Sequence, residues 1–255
     1  MSSRSLMAAN WKMYKTVEQS LAYARELVRR LEEEPVFDVE QLICPTMPAL
    51  YPLVQRLAGT SVRVGAQTLD LGQEGANTGA VSGYLVREAG AEYVIVGHSE
   101  RRQLYGEDDT LVRDKSVAAA QARLTPILCV GETRDQRQAG QTDAVIVRQV
   151  EPVIEALASD ADLVIAYEPL WAIGTGVLPE PKEANRVAEI IRQVVDRIRP
   201  NFSRQVRILY GGSVNRDNIC DFAAQPGLDG ALVGGASLDV GHWLQLNRFW
   251  REVRA

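Results

Sequence analysis

Three ionisable side chains stand where short apolar runs give out. Glu168 follows Leu163-Val164-Ile165-Ala166-Tyr167, His98 follows Tyr93-Val94-Ile95-Val96-Gly97, and Lys12 lies just past Asn10, the polar end of Leu6-Met7-Ala8-Ala9-Asn10. A carboxylate is a base at neutral pH, an imidazole exchanges protons near neutrality, and an ammonium stabilises a neighbouring oxyanion. Together they suit proton transfer beside a developing negative charge. Each also has an ordinary reading: Glu168 as a salt-bridge partner at a rim, Lys12 as a solvated charge, His98 as a surface or core residue. His98 precedes Ser99-Glu100-Arg101-Arg102, a helix start, and a helix N-terminus disfavours imidazolium and favours the neutral ring. His242, inside the last helix, is read as structural.

Two glycine pairs carry a second message. Gly211-Gly212-Ser213 follows Val206-Arg207-Ile208-Leu209-Tyr210, and Gly234-Gly235 follows Gly230-Ala231-Leu232-Val233. Glycine lets backbone N–H groups come close to a ligand, and the short turn Ala236-Ser237-Leu238 adds a helix N-terminus that attracts an anion. A phosphate site fits this pattern; relief of crowding in tight turns is the alternative. The residues after Glu168 run Pro169, Leu170, Trp171, Ala172, Ile173, Gly174, Thr175 and Gly176. A surface loop this apolar is unusual, and it suits either a lid that excludes water or a segment packed on a neighbour.

Something must bring these residues together. Read in order, the chain alternates short apolar strands with helices. Strands are expected at 6–10, 41–44, 62–67, 93–97, 125–130, 163–167, 206–210 and 230–233. Helical spacing follows at 17–31 behind a Thr16–Gln19 capping box, 48–57, 81–89, 110–122 after a polar segment, 142–157 with Thr142 as cap, 181–198, 215–222 capped by Asn215, and 242–253. The strands are apolar on both faces, as buried parallel strands are. Eight such units in 255 residues are the size of a single closed (β/α)8 barrel domain over 1–255. An open doubly wound sheet is the competitor, but no Gly-x-Gly-x-x-Gly follows the first strand. In a barrel, sites form at the strands' C-terminal ends, where all the residues above lie.

Composition narrows the partners. With 28 Lys and Arg against 33 Asp and Glu, the net charge is −5, which argues against nucleic acid but leaves room for a local anion site. No apolar run approaches the roughly 18 residues of a membrane span, and the N-terminus lacks a signal-peptide core. Cys44, Cys129 and Cys220 are scattered without a CxxC pair, so they read as reduced and the protein as cytoplasmic; Cys129 reads as packing. Two histidines, His98 and His242, exclude a His-rich metal site.

Taken together, these segments resemble the triosephosphate isomerase family. Ala8-Ala9-Asn10-Trp11-Lys12-Met13, VIVGHSERR at 94–102, Cys129-Val130-Gly131-Glu132-Thr133, AYEPLWAIGTG at 166–176, YGGSV at 210–214 and LVGGA at 232–236 resemble its motifs, in order and across nearly the whole chain. The resemblance implies a (β/α)8 TIM barrel that interconverts glyceraldehyde 3-phosphate and dihydroxyacetone phosphate through an enediolate, without metal or organic cofactor. It implies that Glu168 moves the proton between carbons and that His98, neutral, polarises the carbonyl, a pairing for which the family itself is the standard example. It further implies that Lys12 stabilises the enediolate and the phosphate, and that Asn10 orients Lys12 and substrate oxygens. Gly174, Ser213, Gly234 and Gly235 would offer phosphate-binding N–H groups, Glu100 would support Lys12, and Pro169 to Gly176 would close as the lid. Closure would protect an intermediate that otherwise expels phosphate.

The resemblance also implies a homodimer built through the loop from Gly75 to Gly79, and here the chain departs from the pattern. Ala80 replaces a usual glutamate, which removes an expected partner for Arg101 across the interface. Tyr14 and Thr68 stand where asparagine is common, and Val177 where a lysine is common at the lid's far hinge; a β-branched residue there stiffens the hinge.

Overall fold

The computed structural model describes residues 4–172 and 179–255. The expectations for Ile173, Gly174, Thr175, Gly176 and Val177 therefore lie outside the described residues.

Eight parallel strands close on themselves in sequence order. They are β1 (Ser5–Asn10), β2 (Val39–Cys44), β3 (Val62–Ala66), β4 (Tyr93–Val96), β5 (Thr125–Val130), β6 (Val164–Tyr167), β7 (Arg207–Tyr210) and β8 (Gly230–Val233). Closure comes from β1 pairing with β8 in parallel, Ala8 beside Leu232 and Ala9 beside Val233. The helices are α1 (Val17–Glu33), α2 (Met47–Leu57), α3 (Gly83–Glu88), α4 (Ser99–Tyr105), α5 (Asp109–Gln121), α6 (Arg134–Gln138), α7 (Thr142–Ala156), α8 (Pro181–Ile198), α9 (Ile219–Ala223) and α10 (Val240–Arg254).

Period-two alternation sorts the strand residues into two cores. Leu6, Ala8, Leu42, Cys44, Tyr93, Ile95, Ile127, Cys129, Val164, Ala166, Leu209 and Leu232 form one buried cluster. Their neighbours Met7, Ala9, Ile43, Val94, Val96, Leu128, Ile165 and Ile208 join a larger cluster with Leu27, Leu53, Ile154, Ile191 and Trp243. The first fills the barrel and the second lies between strands and helices, which explains why each strand is apolar on both faces.

The Thr16–Gln19 capping box forms as expected. Other helix starts need correction. The polar segment after His98 is itself the helix α4, ended by Gly106 in the left-handed region. Thr142 does not cap α7; it is the first helical residue and Gln141 occupies the cap without a side-chain bond. Asn215 does not cap α9, which starts at Ile219 behind Asn218. Instead Asn215 Oδ1 accepts from the N–H groups of Asp217 and Asn218, a local turn that competes with helix. The last helix begins two residues before His242, capped by Asp239.

At the barrel's N-terminal end, Glu40, Tyr93 and Arg207 close the bottom. The Tyr93 hydroxyl donates to Glu40 at 2.7 Å, and Arg207 donates to Glu40 at 2.6 Å and to the Tyr93 oxygen at 2.8 Å. Burial pushes the phenol up to about 12, against the pull of Arg207. The described residues singled out for chemistry sit at the opposite end.

Candidate active site

Parity along β6 places Val164 and Ala166 inside the barrel, so Glu168 continues the inward row at its C-terminal mouth. On β4 the inward parity belongs to Tyr93 and Ile95, which would send His98 outward. Gly97 breaks the alternation: its φ is 68°, a conformation glycine adopts without penalty. A Cβ there would also meet Val112 at 2.7 Å. The chain turns, α4 begins with His98 at its N-cap, and the imidazole faces Glu168.

The two side chains touch. His98 Nε2 lies 3.0 Å from Glu168 Oε1, and the N–H of Ser99 donates to Glu168 Oε2 at 2.9 Å. Both residues are almost fully buried. Burial raises a carboxyl, but His98, the Ser99 N–H and the nearby Cys129 thiol outweigh it and hold Glu168 below the usual carboxylate range. Glu168 is therefore an ionised base in a dry place. Burial likewise lowers an imidazole, and Glu168 followed by Glu100 outweighs it, so the direction for His98 is upward. This opposes the expectation from the helix terminus alone, because a carboxylate in contact outweighs the partial charge of a helix end. The tautomer is still fixed by the backbone. Nδ1 accepts the Glu100 N–H at 3.2 Å, so the ring that the helix recognises is neutral, with its proton on Nε2 and aimed at the carboxylate.

Lys12 comes from the turn after β1. Its φ is 51°, a left-handed conformation uncommon for lysine, and three contacts hold the turn. The Lys12 N–H donates to Asn10 Oδ1 at 3.0 Å, the Gln67 amide donates to the Lys12 carbonyl at 2.8 Å and to that of Cys44 at 3.0 Å, and Lys12 Nζ meets Glu100 Oε1 at 2.6 Å. Asn10 is buried by the same parity that places Leu6 and Ala8 inside.

A cavity of about 400 Å³ opens at this end, lined by Asn10, Lys12, His98, Glu100, Glu168, the 211–213 turn and the 234–236 turn. Gly234 lies so close to Lys12 that a Cβ on it would be 3.3 Å from Cε. Ser213 is exposed at the opening, its carbonyl accepting from the Asn218 amide at 3.0 Å. The structure thus brings Asn10, Lys12, His98, Glu100, Glu168, Ser213, Gly234 and Gly235 around one space. Grooves of about 560 and 570 Å³ elsewhere are lined by loop and terminal residues such as Arg123, Asp160, Arg4 and Arg254, with carboxylates but no imidazole among them.

The turn that follows Glu168 is anchored. Trp171 Nε1 donates to Glu132 Oε1 at 2.9 Å, and the Tyr167 hydroxyl donates to the same buried carboxylate at 3.2 Å. Arg137 covers the Trp171 ring at 4.2 Å from its centroid. Pro169, Leu170 and Ala172 continue this turn, with the Ala172 N–H on the Pro169 carbonyl.

Four contributors were missed by the sequence reading. Ser99 acts through its backbone, which no side-chain pattern reveals. Gln67 and Glu132 act from the ends of nearby strands, Gln67 on Lys12 and Cys44 and Glu132 on Tyr167 and Trp171. Cys129, read as packing only, sits inward on β5 with its thiol near the Glu168 carboxylate; its inward parity was the available signal.

Known proteins resemble this chain closely. A family model described as triosephosphate isomerase matches residues 5–249. Triosephosphate isomerase from Symbiobacterium thermophilum is 47% identical over 253 residues, covering 98% of each chain, and that from Roseiflexus sp. (strain RS-1) is 46% identical over 249 residues, covering 96% of each. A crystal structure of triosephosphate isomerase from Bartonella henselae superposes with a TM-score of 0.86 at 33% identity, covering 97% of this chain and 99% of that one.

Proposed function

The chain belongs to the triosephosphate isomerase family, and we propose that Glu168, His98, Lys12 and Asn10 carry its reaction. That reaction interconverts glyceraldehyde 3-phosphate and dihydroxyacetone phosphate, a step of glycolysis.

The convergence of Glu168, His98 and Lys12 in one cavity carries the reading. In the resting site Glu168 is occupied at both oxygens, by Ser99 and His98. A substrate carbonyl oxygen that takes over the Nε2–H of His98 releases the carboxylate toward the adjacent carbon. Glu168 then removes a proton from one carbon and returns it to the next. His98 donates to the oxygen on which charge develops, and Lys12 offsets that charge from the side of the phosphate. Gly234, Gly235 and Ser213 would take the phosphate, with Gly174 contributing from the lid, and the lid from Pro169 to Gly176 would close over the intermediate. A coupled triose assay tests the reading: turnover is expected in the native chain and a severe loss in Glu168→Ala, and normal turnover in that variant would remove Glu168 from the role.

A Schiff-base reaction at Lys12 is the competitor among phosphosugar barrels. It needs an amine free to reach a substrate carbonyl, whereas Lys12 Nζ is held in an ion pair with Glu100 at 2.6 Å. No borohydride-trapped adduct at Lys12 is expected.

We read the chain as a single barrel domain that pairs into a homodimer in the cytoplasm. Met13, Tyr14, Leu104 and Tyr105 are exposed on one face, around a second cavity of about 400 Å³ beside Lys12 that Gln67 and Arg101 also line. The loop from Gly75 to Gly79 is exposed throughout and would fill that cavity in a second copy. The missing glutamate at Ala80 is compensated within the chain: Arg101 Nε meets Glu107 at 2.6 Å, and Glu107 also pairs with the buried Lys115. Light scattering should return twice the 28.1 kDa chain mass. Cys44, Cys129 and Cys220 are free thiols, which supports a reducing compartment. Among the described residues no helix is long and apolar enough to cross a membrane.

A further inference from the structure

The turn that holds Gly234 and Gly235 is braced from outside its own strand as well. After β8 the chain makes a single 3-10 turn, Gly235–Ser237. Ser237 folds back on Gly234: its N–H reaches the Gly234 carbonyl at 2.9 Å and its hydroxyl the same oxygen at 2.6 Å. Ser237 is fully buried, and its own carbonyl accepts from the Tyr23 hydroxyl at 2.9 Å, across 214 residues of sequence.

Tyr23 lies on the inner face of α1, the helix that follows the Lys12 turn. Its ring meets the Trp11 ring edge-on, centroids 4.8 Å apart, and Lys15 Nζ sits over both rings at 4.9 and 5.4 Å. Lys12 and Lys15 both have left-handed backbones, so the turn between Trp11 and Thr16 is held by packing against conformational preference. A loop of contacts results. It runs from Lys12 through Trp11 to Tyr23, from the Tyr23 hydroxyl to Ser237, from Ser237 to Gly234, and from Gly234 back to the Lys12 side chain, where a Cβ would touch Cε. Burial, followed by the nearby Asp239, pushes the Tyr23 phenol well above its ordinary value, so it remains a donor.

We infer that Tyr23 is a positioning residue that sets the distance between the Lys12 ammonium and the Gly234–Gly235 phosphate cradle, and so tunes affinity for the phosphate group of the substrate. The inference rests on the reading that these glycines bind phosphate. One hydrogen bond joins the lysine-bearing turn to the phosphate-bearing turn, and removing it lets the two drift apart. The rest of the mouth is untouched, because Glu168 and His98 hang on β6 and α4.

Tyr23→Phe keeps the ring and removes the hydroxyl. Its KM for glyceraldehyde 3-phosphate should rise about three- to tenfold, the worth of one hydrogen bond between neutral partners. Its inhibition constant for inorganic phosphate should rise by the same factor, while turnover of phosphate-free glyceraldehyde stays unchanged. Ser237→Ala, which removes the hydroxyl from the next link and leaves its N–H bond, should give the same split in smaller measure, so the inference stays testable if one variant folds poorly. Gly234→Ala serves as the reference for the phosphate reading. If Gly234→Ala weakens phosphate inhibition and Tyr23→Phe does not, the brace is wrong and the cradle stands. If Gly234→Ala leaves phosphate inhibition unchanged, the cradle falls and the brace with it. Equal losses in Tyr23→Phe for glyceraldehyde and its phosphate would mean general loosening and would overturn the positioning role.

Discussion

Glu168 and His98 meet at 3.0 Å, Oε1 to Nε2, with the other carboxylate oxygen held by the Ser99 N–H at 2.9 Å. On the proposed roles, the base and the proton donor of one reaction occupy each other here. The contact is then a resting arrangement that substrate would break. Its energetic cost is limited, because the substrate oxygen that enters offers His98 an equivalent acceptor.

The first prediction concerns pH. Glu168 is held below the ordinary carboxylate value, so more protons bind the unfolded chain than the folded one as the pH falls. Its stabilisation is complete above the unfolded value of about 4.3 and is lost as the pH falls through the lower folded value. Glu168→Gln carries no such group. Melting temperature measured from pH 6 to pH 3 should fall more steeply for the native chain than for the variant. Parallel curves would mean that the carboxylate is not selectively stabilised.

A second prediction uses the crowding behind the base. A Cβ placed on Gly211 would lie 2.8 Å from Glu168 Cγ and 3.2 Å from the Tyr167 carbonyl. The Tyr167 carbonyl belongs to the strand backbone, which leaves the Glu168 side chain as the group that yields. Gly211→Ala should lower kcat by roughly a hundredfold, the effect of about 1 Å of misplacement, with native circular dichroism. A variant with unchanged kcat would show that the base tolerates displacement.

The barrel pattern and the rim residues were legible before any coordinates. Two-sided apolar strands such as Val164–Tyr167 and Gly230–Val233 can only be buried, and eight of them with helices between leave few architectures. Helix starts were less legible, because side-chain caps are optional. Asn215 spends its oxygen on a turn, and Gln141 stands at a cap without bonding. Orientation at the mouth was hidden as well. Strand parity alone sends His98 outward, and only the positive φ of Gly97 reverses it. The upward pull on His98 was hidden for a related reason, since helix position is local while the opposing Glu168 arrives from a strand 70 residues away by sequence number.

The third prediction separates stability from chemistry. Glu40, Tyr93 and Arg207 close the barrel bottom with side chains that are 18% and 14% exposed for the charged pair. Glu40→Ala leaves the Arg207 guanidinium with the phenol oxygen but no counter-charge. Breaking a buried pair from one side costs about 3 kcal/mol, which for a chain of this size is roughly 6–12 °C in melting temperature. Because the cluster lies at the end opposite Glu168, kcat and KM at 25 °C should stay within about twofold, less than one hydrogen bond's worth. A large loss of kcat without loss of stability would mean that the two ends of the barrel are coupled.

The last prediction addresses the anchored turn of the segment proposed as a lid. Glu132 is fully buried and receives the Trp171 indole and the Tyr167 hydroxyl, with Arg137 at 3.5 Å as its nearest cation. Glu132→Gln keeps the volume but removes the charge, and an amide cannot accept from both donors at full strength while facing Arg137. The turn through Pro169 and Leu170 keeps the Leu170 N–H on the Glu132 carbonyl but loses its charged side-chain anchor, while Glu168 keeps its own bonds to Ser99 and His98. If the segment from Pro169 to Gly176 shields the enediolate, a loosened anchor admits water more than it slows proton transfer. The measurable sign is partition: methylglyoxal, the product of phosphate loss, should form at a higher ratio to isomerised triose than in the native chain. Deletion of Leu170 to Gly174 should raise that ratio further. An unchanged ratio in both proteins, with isomerisation slowed, would assign the segment to binding and leave protection of the intermediate to the cavity walls.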